Sequence, residues 1–126
     1  MSAVEMLKNM TVLLVEDEQF PREAIGRFLK SQVAAVHLAA NGLEGLELFS
    51  TVQPDVVITD LEMPVMNGLE MIRKIRTLGR TVPIIIVTGY DDDQHKTDLA
   101  DRTLIKPIVF SKLLEALESC LKEQPA

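Results

Sequence analysis

Glu16, Asp17 and Glu18 close one apolar run of the chain, Asp60 closes a second, Thr88 a third, and Lys106 follows a short fourth. If those run ends meet in space, several carboxylates, a hydroxyl and an ammonium share one small volume. Carboxylates about 4 Å apart repel by roughly 4 kcal/mol per pair at an effective dielectric near 20, so such a cluster calls for cations. Magnesium, or manganese in its place, answers that need: it is hard, takes oxygen ligands, and is usually held by one or two carboxylates plus water and phosphate oxygens. The Lys106 ammonium supplies a second positive charge. A carboxylate beside a metal ion and an ammonium can accept a phosphoryl group as a mixed anhydride, and a threonine hydroxyl can donate to a phosphoryl oxygen. The set Glu16, Asp17, Asp60, Thr88 and Lys106 therefore reads as a phosphoryl-transfer site.

The elements that must position these groups are legible as apolar patterns. Thr11 to Glu16, Val56 to Thr59 and Ile84 to Thr88 are near-continuous runs rich in β-branched residues, as expected of strands covered on both faces. Val36 to Ala39 and Thr103 to Ile105 are weaker candidates. Between them, Ile25, Phe28 and Leu29, then Leu43, Leu46 and Phe49, then Met71, Ile72 and Ile75 recur at helical spacing. Leu113, Leu114, Leu117 and Leu121 mark a last helix, with Ser111 as its expected N-cap. Alternating strands and helices need crossover connections, which build a parallel sheet between helical layers. The fold class expected is α/β, a doubly wound (βα)5 sheet of five parallel strands, whose ligands collect beyond the carboxyl ends of the strands.

Composition narrows the alternatives. The 126 residues fit one domain over 1–126, with a core from about residue 11 to about residue 122 and loosely ordered termini. No apolar run approaches the roughly 18 residues needed to cross a bilayer, and nothing in Met1 to Asn9 resembles a secretion signal, so a cytoplasmic location is expected. A net charge of −6 disfavours direct nucleic acid binding. Cys120 has no second thiol to pair with and reads as a small apolar residue. Met63 and Met66 read as packing residues, the acids Asp91, Asp92 and Asp93 as favouring a helix N-terminus, and His37 and His95 as structural.

Four motifs carry a resemblance to a known family: Leu14-Val15-Glu16-Asp17-Glu18, Ile58 to Gly68 around Asp60, Val87-Thr88-Gly89 and Lys106-Pro107. Together, in this order, they make the chain similar to the receiver domain of two-component response regulators, over Thr11 to Leu121. That resemblance implies a flavodoxin-like strand order 2-1-3-4-5, for which a member of the family is a standard example. It also implies Asp60 as phosphoacceptor, Glu16 and Asp17 as the acidic pair of a magnesium site completed by the main-chain carbonyl of Glu62, and Thr88 and Lys106 as the switch hydroxyl and phosphate partner. Pro64 and Gly68 shape the loop beside the acceptor, and the Lys106-Pro107 bond is expected to be cis. Partners implied are a histidine kinase or histidine phosphotransfer domain as donor, an output protein or domain, and a second copy of the chain in a homodimer. The domain's own chemistry extends at most to assisting gain and loss of phosphate, which sets it apart from an enzyme. An unphosphorylated scaffold of this fold is disfavoured by the intact site, and an aspartyl phosphatase by the absence of an Asp-x-Asp motif at Asp60.

Two departures stand out. Receivers usually carry an aromatic residue three positions before the lysine, and here that position is Thr103. The segment from Gly89 to Arg102 is also about one helical turn short, ~4 residues, so a stunted helix over roughly Asp92 to Ala100 is expected.

Overall fold

The computed structural model describes residues 2–90 and 97–123, with side chains through residue 121. The strands are β1 (Thr11–Val15), β2 (Ala35–Ala39), β3 (Val56–Thr59), β4 (Ile84–Thr88) and β5 (Arg102–Ile105). They form one parallel sheet in the order β2-β1-β3-β4-β5, as expected. The helices are α1 (Ala3–Lys8), α2 (Gln19–Lys30), α3 (Gly42–Val52), α4 (Gly68–Thr77) and α5 (Phe110–Glu123).

Burial on both faces explains why the central strands are apolar without alternation. Val12, Leu14, Val56, Ile58, Ile85 and Val87 face one core, packed with Ile25 and Leu29 of α2 and Leu113 and Leu117 of α5. Leu13, Val15, Val57, Ile84 and Ile86 face the other, packed with Phe49 of α3 and Met71, Ile72 and Ile75 of α4. Each strand thus feeds two clusters at its period of two residues.

Two expectations, the N-cap of the last helix and the burial of Leu43, need correction. Before β1, Ser2 caps α1 by accepting the Glu5 N–H at 3.2 Å, and Leu7 and Met10 are buried in the first core. Ser111 is not the N-cap of the last helix, because α5 already includes Phe110 and the first bonds of its opening turn run to the Val109 carbonyl. Of the helix expected between β4 and β5, positions 91–96, with Asp91, Asp92, Asp93 and His95, lie outside the described residues, and residues 97–100 form turns. Leu43, counted in a buried stripe, is also exposed.

The described end of that connection is held by Arg76 of α4. Its guanidinium donates to the carbonyls of Leu99 at 3.0 Å, Arg80 at 3.1 Å and Val82 at 2.7 Å, and to Asp101 Oδ2 at 3.3 Å. Asp101 in turn accepts the Ile84 N–H at 2.8 Å, so one side chain joins the end of α4 to the starts of β4 and β5.

Candidate functional site

The carboxyl ends of β1, β3 and β5 bring Glu16, Asp17, Asp60 and Lys106 together. One carboxylate oxygen from each of Glu16, Asp17 and Asp60 lies within 4.8 Å of the others. Lys106 Nζ reaches into the same group, 2.6 Å from Asp60 Oδ2 and 3.0 Å from Glu16 Oε1. Three residues separated by 44 to 90 positions in the chain meet through one ammonium.

Asp60 is 9 % exposed and sits in a backbone cradle. Its N–H continues the sheet to the Val15 carbonyl at 3.1 Å, and its Oδ1 accepts the N–H of Leu61 at 2.6 Å and of Glu62 at 3.4 Å. The loop after it folds back because Gly68 N–H bonds the Leu61 carbonyl at 2.9 Å, while Asn67 caps α4 by accepting the Glu70 N–H at 2.9 Å. A Cβ at Gly68 would overlap the Asp60 carbonyl, so only glycine lets α4 start this close to the acceptor strand. Val65, in the same loop, holds a left-handed φ of 69°, uncommon for a β-branched residue.

Glu16 lies one residue beyond β1, with its N–H bonded to the Ala39 carbonyl at 3.0 Å. It is 3 % exposed, and burial pushes its carboxyl above the ordinary value; the Lys106 hydrogen bond opposes that shift and the nearby Asp60 charge adds to it. Burial alone works to lower the Lys106 ammonium, but its bonds to Asp60 and Glu16 together outweigh this and hold it above its usual value. The three carboxylates of Glu16, Asp17 and Asp60 make an oxygen-only donor set of a kind that fits a hard divalent cation.

Thr88 ends β4 fully buried, its Oγ1 accepting the Tyr90 N–H at 3.2 Å and its carbonyl accepting the Lys106 N–H at 2.7 Å. The Lys106-Pro107 bond is cis. Glu62 contributes its N–H to Asp60 Oδ1, and its side chain is exposed. His37 lies in β2 and Cys120 is buried on α5, both away from this group. Arg22 was not singled out from sequence: its Nη1 donates to the Glu16 carbonyl at 2.9 Å and the Asp17 carbonyl at 3.0 Å. Nothing in residue type or spacing announces a guanidinium whose targets are main-chain oxygens.

This sheet and site define a class, and the chain belongs to the response regulator receiver domain family, whose model matches residues 12–118. It is similar to the response regulator MprA of Mycobacterium sp. strain KMS, 34% identical over 115 residues that make up 88% of this chain and 50% of that protein. The MprA of Mycobacterium leprae is 33% identical over 117 residues, 90% of this chain and 51% of that one. The chain therefore spans about half the length of the curated relatives it matches. Among solved structures, the N-terminal domain of an uncharacterized protein from Wolinella succinogenes superposes with a TM-score of 0.85 at 32% identity, covering 90% of this chain and 94% of that one. A response regulator receiver domain protein from Clostridium thermocellum gives 0.82 at 28% identity, covering 90% and 94%. Among the described residues, no helix is long and apolar enough to cross a membrane.

Proposed function

We propose that this domain is the phosphoacceptor of a two-component phosphorelay, taking a phosphoryl group from a phosphohistidine onto Asp60 and passing a change of conformation to an output partner. The observation that carries the reading is the convergence of three carboxylates and Lys106 Nζ on one strand edge, with Asp60 at 2.6 Å from the ammonium. Glu16, Asp17 and Asp60, with the Glu62 main-chain carbonyl, would hold magnesium or manganese, which supplies charge neutralisation for the transferred group.

An Asp60 carboxylate oxygen forms the new O–P bond as the P–N bond to the donor imidazole breaks, and the electron pair of that bond stays with the imidazole nitrogen. Lys106 then pairs with a phosphoryl oxygen in place of the carboxylate it now holds. Thr88 has to release the Tyr90 amide and turn its hydroxyl toward the phosphoryl group, a local change with consequences in the following loop. The donor is a histidine kinase or a histidine phosphotransfer domain; the reader is an output protein or domain, and a homodimer is one form that output takes.

Intact-mass measurement after incubation with acetyl phosphate and magnesium tests the reading. One added phosphoryl group is expected in the wild type and none in Asp60→Asn. Equal labelling of both, or of neither, would remove Asp60 from the proposed role.

A further inference from the structure

We infer that Arg22 is the positioning residue that aims Asp17 into the cation site. This rests on the proposed magnesium-binding role of the acidic group. Arg22 Nη1 carries two hydrogens and spends one on the Glu16 carbonyl, at 2.9 Å, and one on the Asp17 carbonyl, at 3.0 Å. Those two carbonyls belong to successive peptide planes that meet at the Asp17 Cα. Because each peptide unit is planar, fixing both planes fixes φ and ψ of Asp17, and with them the direction of its Cβ. The carboxylate of Asp17 then lies within 4.8 Å of those of Glu16 and Asp60.

The rest of the loop gives this backbone little other support. Glu18, the N-cap of α2, makes no side-chain capping bond, and α2 has no acid in its first turn. The Glu18 N–H reaches Glu16 Oε2 only at 3.4 Å. The guanidinium itself stands on α2, where the Arg22 N–H bonds the Glu18 carbonyl at 3.0 Å. Helix α2 packs into the first core through Ile25 and Leu29, so Arg22 ties a mobile class of structure, a loop, to a rigid element.

A positioning role and a purely electrostatic one predict opposite signs. An arginine beside a cation site repels the cation, so if charge were its only influence, Arg22→Ala would bind magnesium more tightly. If it aims Asp17, the same variant binds more weakly, by about tenfold, the effect expected for loss of a group that orients a metal ligand. Arg22→Lys, able to reach one carbonyl with a point charge, is expected between the two.

The experiment is calorimetric titration of magnesium into wild type, Arg22→Ala, Arg22→Lys, Asp17→Asn and the double variant Arg22→Ala/Asp17→Asn, with Tm measured without metal for each. The expected result is weaker binding in Arg22→Ala, partial recovery in Arg22→Lys, and no further loss on adding Arg22→Ala to Asp17→Asn. A lowered Tm with unchanged magnesium affinity would reduce Arg22 to a structural tie and overturn the inference, as would tighter binding or additive losses. Should Arg22→Ala fail to fold, Arg22→Lys alone decides, since wild-type affinity in a folded Arg22→Lys denies the need for both bonds. A wild type that does not bind magnesium would instead remove the proposed metal site on which the inference stands.

Discussion

Glu16 is an acid buried at the strand edge, 3 % exposed. Burial raises its pKa, so the folded protein holds a proton there more tightly than the unfolded chain does. Stability through this group is therefore complete below the ordinary carboxylate value and is lost as pH rises from there through the raised value. Lys106 has a profile of the same sign in a more alkaline window: its raised pKa adds stability that is complete below the ordinary lysine value and disappears as pH passes the folded one. Glu16→Gln keeps an oxygen for the Lys106 ammonium while removing the buried charge. Without metal it is expected to melt at higher temperature than wild type near neutral pH, with a flatter pH profile, and calorimetry should show magnesium binding weakened about tenfold or more. A lower metal-free Tm would mean that the ion pair with Lys106, not the burial of charge, dominates at this position. The acids and the lysine were legible in the sequence because each is an unusual residue type at the end of an apolar run. Arg22 was not, because it acts on carbonyl oxygens that every residue carries.

The elements follow the same division. Strands β1, β3 and β4 were readable from continuous apolar runs, since residues buried on both faces leave no polar interruption. Helix α1 escaped notice because six residues make too few turns for an apolar stripe to recur, although Leu7 and Met10 enter the core. Of the connection from β4 to β5, the part described at residues 97–100 is non-helical, and a distant side chain bonds it through the Leu99 carbonyl. Arg76 is the centre of that arrangement, and its loss leaves the carbonyls of Leu99, Arg80 and Val82 and the Asp101 carboxylate with one partner fewer. Arg76→Ala is expected to cost about 2–3 kcal/mol in denaturant unfolding, the range for a few partly exposed bonds including one to a charged group. Hydrogen exchange should show faster opening at Ile84 and Asp101, whose mutual backbone bond the guanidinium braces. Unchanged exchange there would place the stability of the connection elsewhere.

Across the whole molecule, the question is how phosphate at one strand end could be felt at a distance. The aromatic residue that commonly reports it is replaced by Thr103, which lies on the exposed side of the edge strand β5 in register with Ile86. No large ring can swing inward from that position, so the signal needs another carrier. The backbone offers one. The Thr88 carbonyl holds the Lys106 N–H at 2.7 Å and the Thr88 hydroxyl holds the Tyr90 N–H at 3.2 Å, so Thr88 bonds both the Lys106 backbone and the residue two places beyond β4. In the proposed mechanism, turning that hydroxyl toward a phosphoryl group would weaken its bond from the Tyr90 amide, while the Lys106 side chain would move to its new partner. A ligand shifts such an equilibrium only by its difference in affinity for the two forms. Here that difference comes from bonds that Thr88 and Lys106 make to phosphoryl oxygens in one form alone. Amide chemical shifts recorded with and without beryllofluoride and magnesium should therefore change over Thr88 to Tyr90 and over residues 97–106, as well as around Asp60, and Asp60→Asn should abolish all of them. Changes confined to Asp60, Leu61 and Glu62 would show a domain that takes the group without transmitting it along this route. Loss of the distant shifts in Thr88→Val, with those near Asp60 retained, would locate the transmission in the hydroxyl itself.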